Sequence, residues 1–282
     1  MGEPRLLRVG HSPDPDDAFM FYALIRGKVP LEGYAFRDVV EPIEDLNRRA
    51  LAGELEVTAL SAHTYARCAD RYWIMSSGAS VGRRYGPLLV AKTGRSLASL
   101  AGRRVALPGE LTTAALVARM ILPQADFVQL RFDEIPAAVL AGAVEAGVII
   151  HEGQLTWKAL GLANLLDFGV WWADQTGGLP LPLGLDAIRS DLGEEAARAM
   201  DRALKASIAY AFDHADDAMA YARSFGRGID ADTNDRFVRM YVNNDTRELP
   251  PDVREALGEL YRRAAAAGLL PAVPRIRVLD GG

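Results

Sequence analysis

From residue 6 to residue 150, short apolar segments alternate with helix-forming stretches. Strict β/α alternation of this kind builds mainly parallel sheets flanked by helices, and it argues against all-helical bundles and all-β sandwiches. The pattern predicts a strand at residues 6–9, followed by a helix that Asp14 caps, Pro15 enters and Gly27 ends. Strands at 34–40, 57–60 and 88–92 and a helix at 43–52 follow. After Thr93 and Gly94 the alternation restarts, with strands at 104–107, 127–131 and 147–150 and helices at 112–121 and 135–141. Beyond a turn-rich stretch at 176–184 there is one strand, 185–189, and then mostly helix to residue 268. Those last helices have no third sheet to cover, so the economical arrangement sends the chain back to the first. The expectation is an α/β, two-lobed fold with a central cleft, residues 1–93 and 186–282 forming the first, discontinuous lobe and 94–185 the second. Two crossings then serve as a hinge.

A length of 282 residues suits two domains of ~100 to 200 residues each. Half of the residues are hydrophobic and 24% are charged, which is enough apolar surface for two cores. The formal net charge of -5 offers no basic footprint for nucleic acid or an anionic membrane, so neither is an expected partner. The one cysteine, Cys68, forms no internal disulfide, and no Cys/His spacing makes a zinc site. The first ten residues lack the apolar run of a signal peptide, and Met1 and Gly2 are not followed by the hydroxyl residue of a myristoylation signal. A cytoplasmic protein, monomeric and acting on a small molecule, is the resulting expectation.

His151 follows the apolar run Val148-Ile149-Ile150, which places an imidazole just beyond the carboxyl end of a strand, where open α/β sheets bind ligands. The same reasoning makes Ser61 a candidate. His11 and His63, read as lying in loops after strands, rival His151 as a base, and spacing does not rank the three. The zinc-protease reading of His151-Glu152 fails because position 155 is Leu rather than His. Gly78-Ala79-Ser80-Val81-Gly82 matches the nucleophile elbow of serine hydrolases, but Gly86 and Pro87 spoil the helix that must follow. Thr112 and Thr113 open a helix after Pro108 and Gly109, a place for an anion or simply a cap. Asp14, Asp16 and Asp17 read either as an acid cluster or as residues that cap a helix and complement its dipole. Asn47 sits on a helix where solvation is the ordinary fate, His214 reads as lying on a solvated helix face, and the Trp171-Trp172 pair reads as core. No glycine-rich nucleotide motif is present, and no cofactor or metal is expected.

From Gly10 to Leu192 the chain resembles the 1,4-dihydroxy-6-naphthoate synthase family of the futalosine route to menaquinone. The resemblance is carried by Ser12-Pro13 with Phe21-Tyr22-Ala23-Leu24, Asp45-Leu46-Asn47-Arg48, Gly86-Pro87-Leu88, Pro108-Gly109 with Thr112-Thr113, Glu145-Ala146-Gly147 with Ile149-Ile150-His151-Glu152, and Leu179-Pro180-Leu181-Pro182-Leu183-Gly184. It implies a fold like a periplasmic solute-binding protein of type II. It also implies a cofactor-independent carbon–carbon lyase that takes cyclic dehypoxanthine futalosine to 1,4-dihydroxy-6-naphthoate. His151 would be the base, and Asn47, Ser61, Thr112 and Thr113 would line the pocket, with Ser12 and Asp16 contributing from the first loop. The chain departs from the family pattern there: it has Asp14-Pro15-Asp16-Asp17-Ala18 in place of Cys-Pro-Asn-Asp-Thr, and His11 in place of Phe. The alternatives are a binding protein of the same fold, which would ordinarily carry an export signal, and the sibling chorismate dehydratase, whose N-terminal signature does not match residues 11–24.

Overall fold

The computed structural model describes residues 4–280; Met1 and Gly2, read above for lipidation, lie outside the described residues. In chain order the elements are β1 (Arg5–His11), α1 (Pro15–Ile25), β2 (Tyr34–Val40), α2 (Ile43–Ala52), β3 (Val57–Ser61), α3 (Ala62–Cys68), β4 (Tyr72–Ile74), β5 (Ser80–Gly82), β6 (Leu88–Ala91), β7 (Arg104–Leu107), α4 (Thr113–Ile121) and β8 (Asp126–Gln129). They continue with α5 (Ile135–Ala141), β9 (Ala146–Ile149), α6 (Gly153–Thr156), β10 (Ala163–Asp167), α7 (Phe168–Gln175), β11 (Leu181–Arg189), α8 (Glu194–Asp213), α9 (Ala215–Arg223), α10 (Ala231–Tyr241), α11 (Asn244–Arg247) and α12 (Pro251–Ala266).

The chain divides into two compact units. The first comprises the residues up to Ser80, Gly184–Pro251 and the residues from Pro274 onward. Its sheet runs β2-β1-β3-β11-β4, with β5 also paired to β11. β1 is parallel to β2 and β3, whereas β11 runs antiparallel to β3 and β4. Helix α1 is apolar nearly all round (Phe19, Met20, Phe21, Leu24) and accordingly buried, packed against α8 and α9. Gly53, at φ 69, takes the left-handed conformation that closes α2.

The second unit comprises Val81–Leu183 and Asp252–Val273, with the sheet order β10-β6-β9-β7-β8. This corrects the expected boundary near residue 93. β6 is antiparallel to both β9 and β10, so the strand that sequence pattern assigned to the first lobe belongs to the second sheet. Helix α12 also leaves the first unit, because its apolar face is not tied by local sequence to either core. The chain therefore passes between units at residues 80–81, 183–184, 251–252 and 273–274, not at two crossings. No helix among the described residues is long and apolar enough to cross a membrane.

An ion-pair cluster ties β1 to β3 and β11. Arg8 donates to both carboxylate oxygens of Glu56, at 2.7 and 2.8 Å, and Arg189 lies 3.5 Å from the same group. Burial works to raise the Glu56 carboxyl, but the Arg8 hydrogen bonds and the two positive charges win and hold it at about 2. A carboxylate depressed in the folded state stabilises above its unfolded value of about 4.3 and loses that contribution as pH falls toward the folded value. Glu56→Gln should therefore lower the melting temperature at pH 7 and lose its effect near pH 2. A thermal-melt series across that range checks it, and an equal deficit at both ends would refute the linkage.

Candidate functional site

In the second unit, β7 and β9 are parallel neighbours, with Val105 opposite Ala146, so the loops leaving their carboxyl ends emerge at the same edge of the sheet. One loop carries Thr112 and Thr113, the other His151. β6 runs antiparallel to β9 and pairs Leu88 with Ile149, which brings the Gly86-Pro87 turn to that edge too. Phe168, at the start of α7, donates its backbone N–H to Pro87 at 2.9 Å.

His151 is held in the left-handed region at φ 53, an uncommon state for a residue with a side chain, and is partly buried. Phe132, from the loop after β8, packs edge-on against its ring with centroids 4.8 Å apart. An aromatic wall restricts the imidazole's rotation and shields one side of it from water. Thr112 is the N-cap of α4: its hydroxyl accepts from Ala115 at 3.1 Å and donates to the Gly109 carbonyl at 2.9 Å. Thr113 donates its hydroxyl to the Leu183 carbonyl at 2.7 Å.

In the first unit, the carboxyl ends of β1 and β3 place Ser12 and Ser61 at one edge of the sheet. Asn47 reaches from α2 to Ser61 with a reciprocal pair, its amide donating to the Ser61 hydroxyl at 3.0 Å and its carbonyl accepting the Ser61 N–H at 2.8 Å. It is fully buried, not solvated as its helical position suggested. The first loop is bound inward. Ser12 donates its hydroxyl to Asp14 at 2.5 Å and its backbone N–H to Asp17 at 2.6 Å, and Arg227 pairs with Asp14 at 2.7 Å. Asp14 does occupy the N-cap of α1, but its side chain makes no capping bond. Asp16 and Asp17 are both buried in the first turn.

The loop reading of His11 and His63 is corrected. His11 is the last residue of β1, stacked on Phe21 at 5.0 Å and ion-paired through Nε2 to Asp38 at 3.0 Å. Burial opposes a charge there, but Asp38 and Asp17 more than offset it and raise the imidazole pKa. His63 lies on α3, and its Nε2 accepts from Arg67 at 3.2 Å. His214 is exposed, but it lies at the junction of α8 and α9 and not on a helix face. Ser80 begins β5, with no helix following, so the elbow geometry is absent. Trp172 is core, its Nε1 donating to Pro180 at 2.9 Å, while Trp171 is partly buried. Sequence reasoning missed Phe132, Asp38, Arg227 and Asp186. Only Asp186 left a signal, as an acid in the otherwise apolar run 185–188.

A family model described as menaquinone biosynthesis matches residues 7–266. The chain is 42% identical over 277 residues to a 1,4-dihydroxy-6-naphthoate synthase of Thermus thermophilus, covering 95% of this chain and 97% of the relative. It is 36% identical to the enzyme of the same name from Streptomyces coelicolor, covering 95% of each. A crystal structure of a protein from Archaeoglobus fulgidus superposes with a TM-score of 0.90 at 47% identity, covering 95% of this chain and all of that one. An alkanesulfonate-binding protein from Xanthomonas axonopodis superposes at 0.72 with 15% identity over 99% of both chains. That likeness shows the fold alone, which is that of periplasmic binding proteins.

Proposed function

The chain belongs to the menaquinone-biosynthesis family, and from that membership we propose that it is a carbon–carbon lyase converting cyclic dehypoxanthine futalosine to 1,4-dihydroxy-6-naphthoate without a cofactor. The observation that carries the reading is His151, set beyond the end of β9 in a left-handed conformation against Phe132. The reaction asks for one base. Removal of a proton from the substrate starts a carbon–carbon fragmentation, the sugar-derived fragment leaves, and aromatisation of the naphthoate drives the step forward. A positioned base contributes typically ~10² to 10⁴-fold, so orientation supplies the remainder.

His151 takes the proton at an imidazole nitrogen. Thr112 and Thr113, at the same edge of the same sheet, serve as substrate contacts near the start of α4, where backbone N–H groups favour a carboxylate. Ser12, Asp16, Asn47 and Ser61 are proposed as further substrate contacts. The Asn47–Ser61 pair fixes both side chains, so a ligand meets polar groups already in place.

Incubating the purified protein with cyclic dehypoxanthine futalosine and assaying 1,4-dihydroxy-6-naphthoate by mass spectrometry tests the proposal. Product formed in proportion to enzyme and time is the expected result. Saturable binding with no product would overturn the lyase reading and leave a receptor of the same fold.

A further inference from the structure

The loop after β1, residues 12–14, is held by a contact that the mechanism has not used. The Ser12 backbone N–H donates to Asp17 at 2.6 Å, the Ser12 carbonyl accepts from His11 Nδ1 at 2.8 Å, and the Pro13 carbonyl accepts from Arg227 at 2.9 Å. The Ser12 hydroxyl lies 2.5 Å from one carboxylate oxygen of Asp14, and Arg227 lies 2.7 Å from the other. Asp14 is buried, and its two oxygens thus join Ser12 to a residue far along the chain. Arg227 comes from the loop between α9 and α10, where it stands at φ 45, in the left-handed region that a long side chain seldom occupies. Such a backbone state persists only where its surroundings fix it, and here two bonds to the first loop do so.

These contacts set the polarity of Ser12. Paired with a guanidinium, Asp14 is a carboxylate, and a carboxylate only accepts. The Ser12 proton is therefore committed to Asp14. What the residue keeps for a ligand is the lone-pair capacity of its hydroxyl oxygen, which takes a donor and has no proton to give. The surroundings select the same kind of group. Asp16 and Asp17 follow in the buried first turn of α1, so the loop disfavours a ligand carboxylate and suits a neutral group that carries its own proton.

We propose that Arg227 is a positioning residue for substrate recognition: by fixing Asp14 it holds the Ser12 hydroxyl as an acceptor, and the first loop thereby takes a hydroxyl of the ligand. The identity of that hydroxyl rests on the lyase reading, in which it belongs to the sugar-derived part of the substrate; the hold of Arg227 on the loop does not.

Hydrogen exchange of the ligand-free protein reads that hold directly. Arg227→Ala should speed exchange of the Ser12 amide by about tenfold or more, the factor carried by one charge-assisted hydrogen bond. Arg227→Lys, which keeps a positive charge against Asp14, should recover part of the protection. In steady-state kinetics with cyclic dehypoxanthine futalosine, Ser12→Ala should raise KM about tenfold with kcat within about twofold, and Arg227→Ala should raise KM by up to the same factor. The double variant should be no worse than Ser12→Ala alone, because both changes remove one and the same contact. Among deoxy analogues that each lack one sugar-derived hydroxyl, one should cost the wild type that factor and cost Ser12→Ala nothing. Unchanged Ser12 exchange in Arg227→Ala, or KM effects that add in the double variant, would overturn the positioning role. Analogues that all cost Ser12→Ala as much as wild type would overturn the acceptor assignment. If Arg227→Ala does not fold, Arg227→Lys carries the same comparisons. Absence of turnover in the wild type would overturn the lyase reading, while exchange at Ser12 still decides whether Arg227 holds the loop.

Discussion

His151→Asn is expected to lower turnover by at least about 10²-fold, the lower range for removal of a positioned general base, while leaving the fold intact. Asn is the informative replacement because of the backbone. At φ 53 most side chains are strained, and Asn is among the few that occupy the left-handed region readily, so the variant removes the base without disturbing the turn after β9. Ligand affinity should change little, because the amide fills most of the imidazole's space beside Phe132. Stopped-time assays of product with both proteins, alongside their circular dichroism, check the prediction. A variant with kcat within twofold of wild type would assign the base elsewhere, and His11 and His63 are poor substitutes, since each is buried and already bound to a charged neighbour.

The alternating pattern made the strands and helices of the N-terminal half readable, because each segment has its own period and punctuation. Residues 34–40 and 43–52 have the same limits in the structure as in the pattern. Long-range pairing was not legible. β6 reads as one more strand of the opening alternation, yet its partners β9 and β10 lie 50 or more residues downstream. β11 begins at Leu181 although prolines suggested a turn, and its pairing with β3 starts at Gly184. At the candidate site, strand-end position placed His151 and Ser61 at sheet edges. Burial did not follow from it, since composition cannot show that Asn47 is enclosed or that three aspartates turn inward. The missed Arg227 illustrates the same limit: an arginine in a loop gives no notice of which acid the fold will set against it.

Gly169→Ala should be among the most destabilising single-methyl changes in the second unit, costing about 1 to 3 kcal/mol or more as overpacking against groups that cannot yield. The cause is a close approach of two backbone segments. A Cβ on Gly169 would stand 2.0, 2.3 and 2.7 Å from the carbonyl oxygen, carbonyl carbon and nitrogen of Tyr85, all of them main chain. A Cβ added at Gly82 would stand 2.0 Å from the same carbonyl oxygen, and one added at Gly86 would stand 3.1 Å from the Gly169 nitrogen. The contact lets Asp167 cap α7 by accepting from Gly169 at 2.8 Å and Val170 at 3.2 Å. It therefore sets the start of α7 against the Gly86-Pro87 turn, at the sheet edge that carries His151. Gly258→Ala supplies the contrast. Gly258 lies inside α12 with nothing within 4 Å of its would-be Cβ, so Ala there should stabilise by roughly 0.5 to 1 kcal/mol through helix propensity alone. Urea denaturation of the two variants gives shifts of opposite sign if backbone contact is the cause; a Gly169→Ala midpoint as high as that of Gly258→Ala would mean the Tyr85 segment moves aside at little cost.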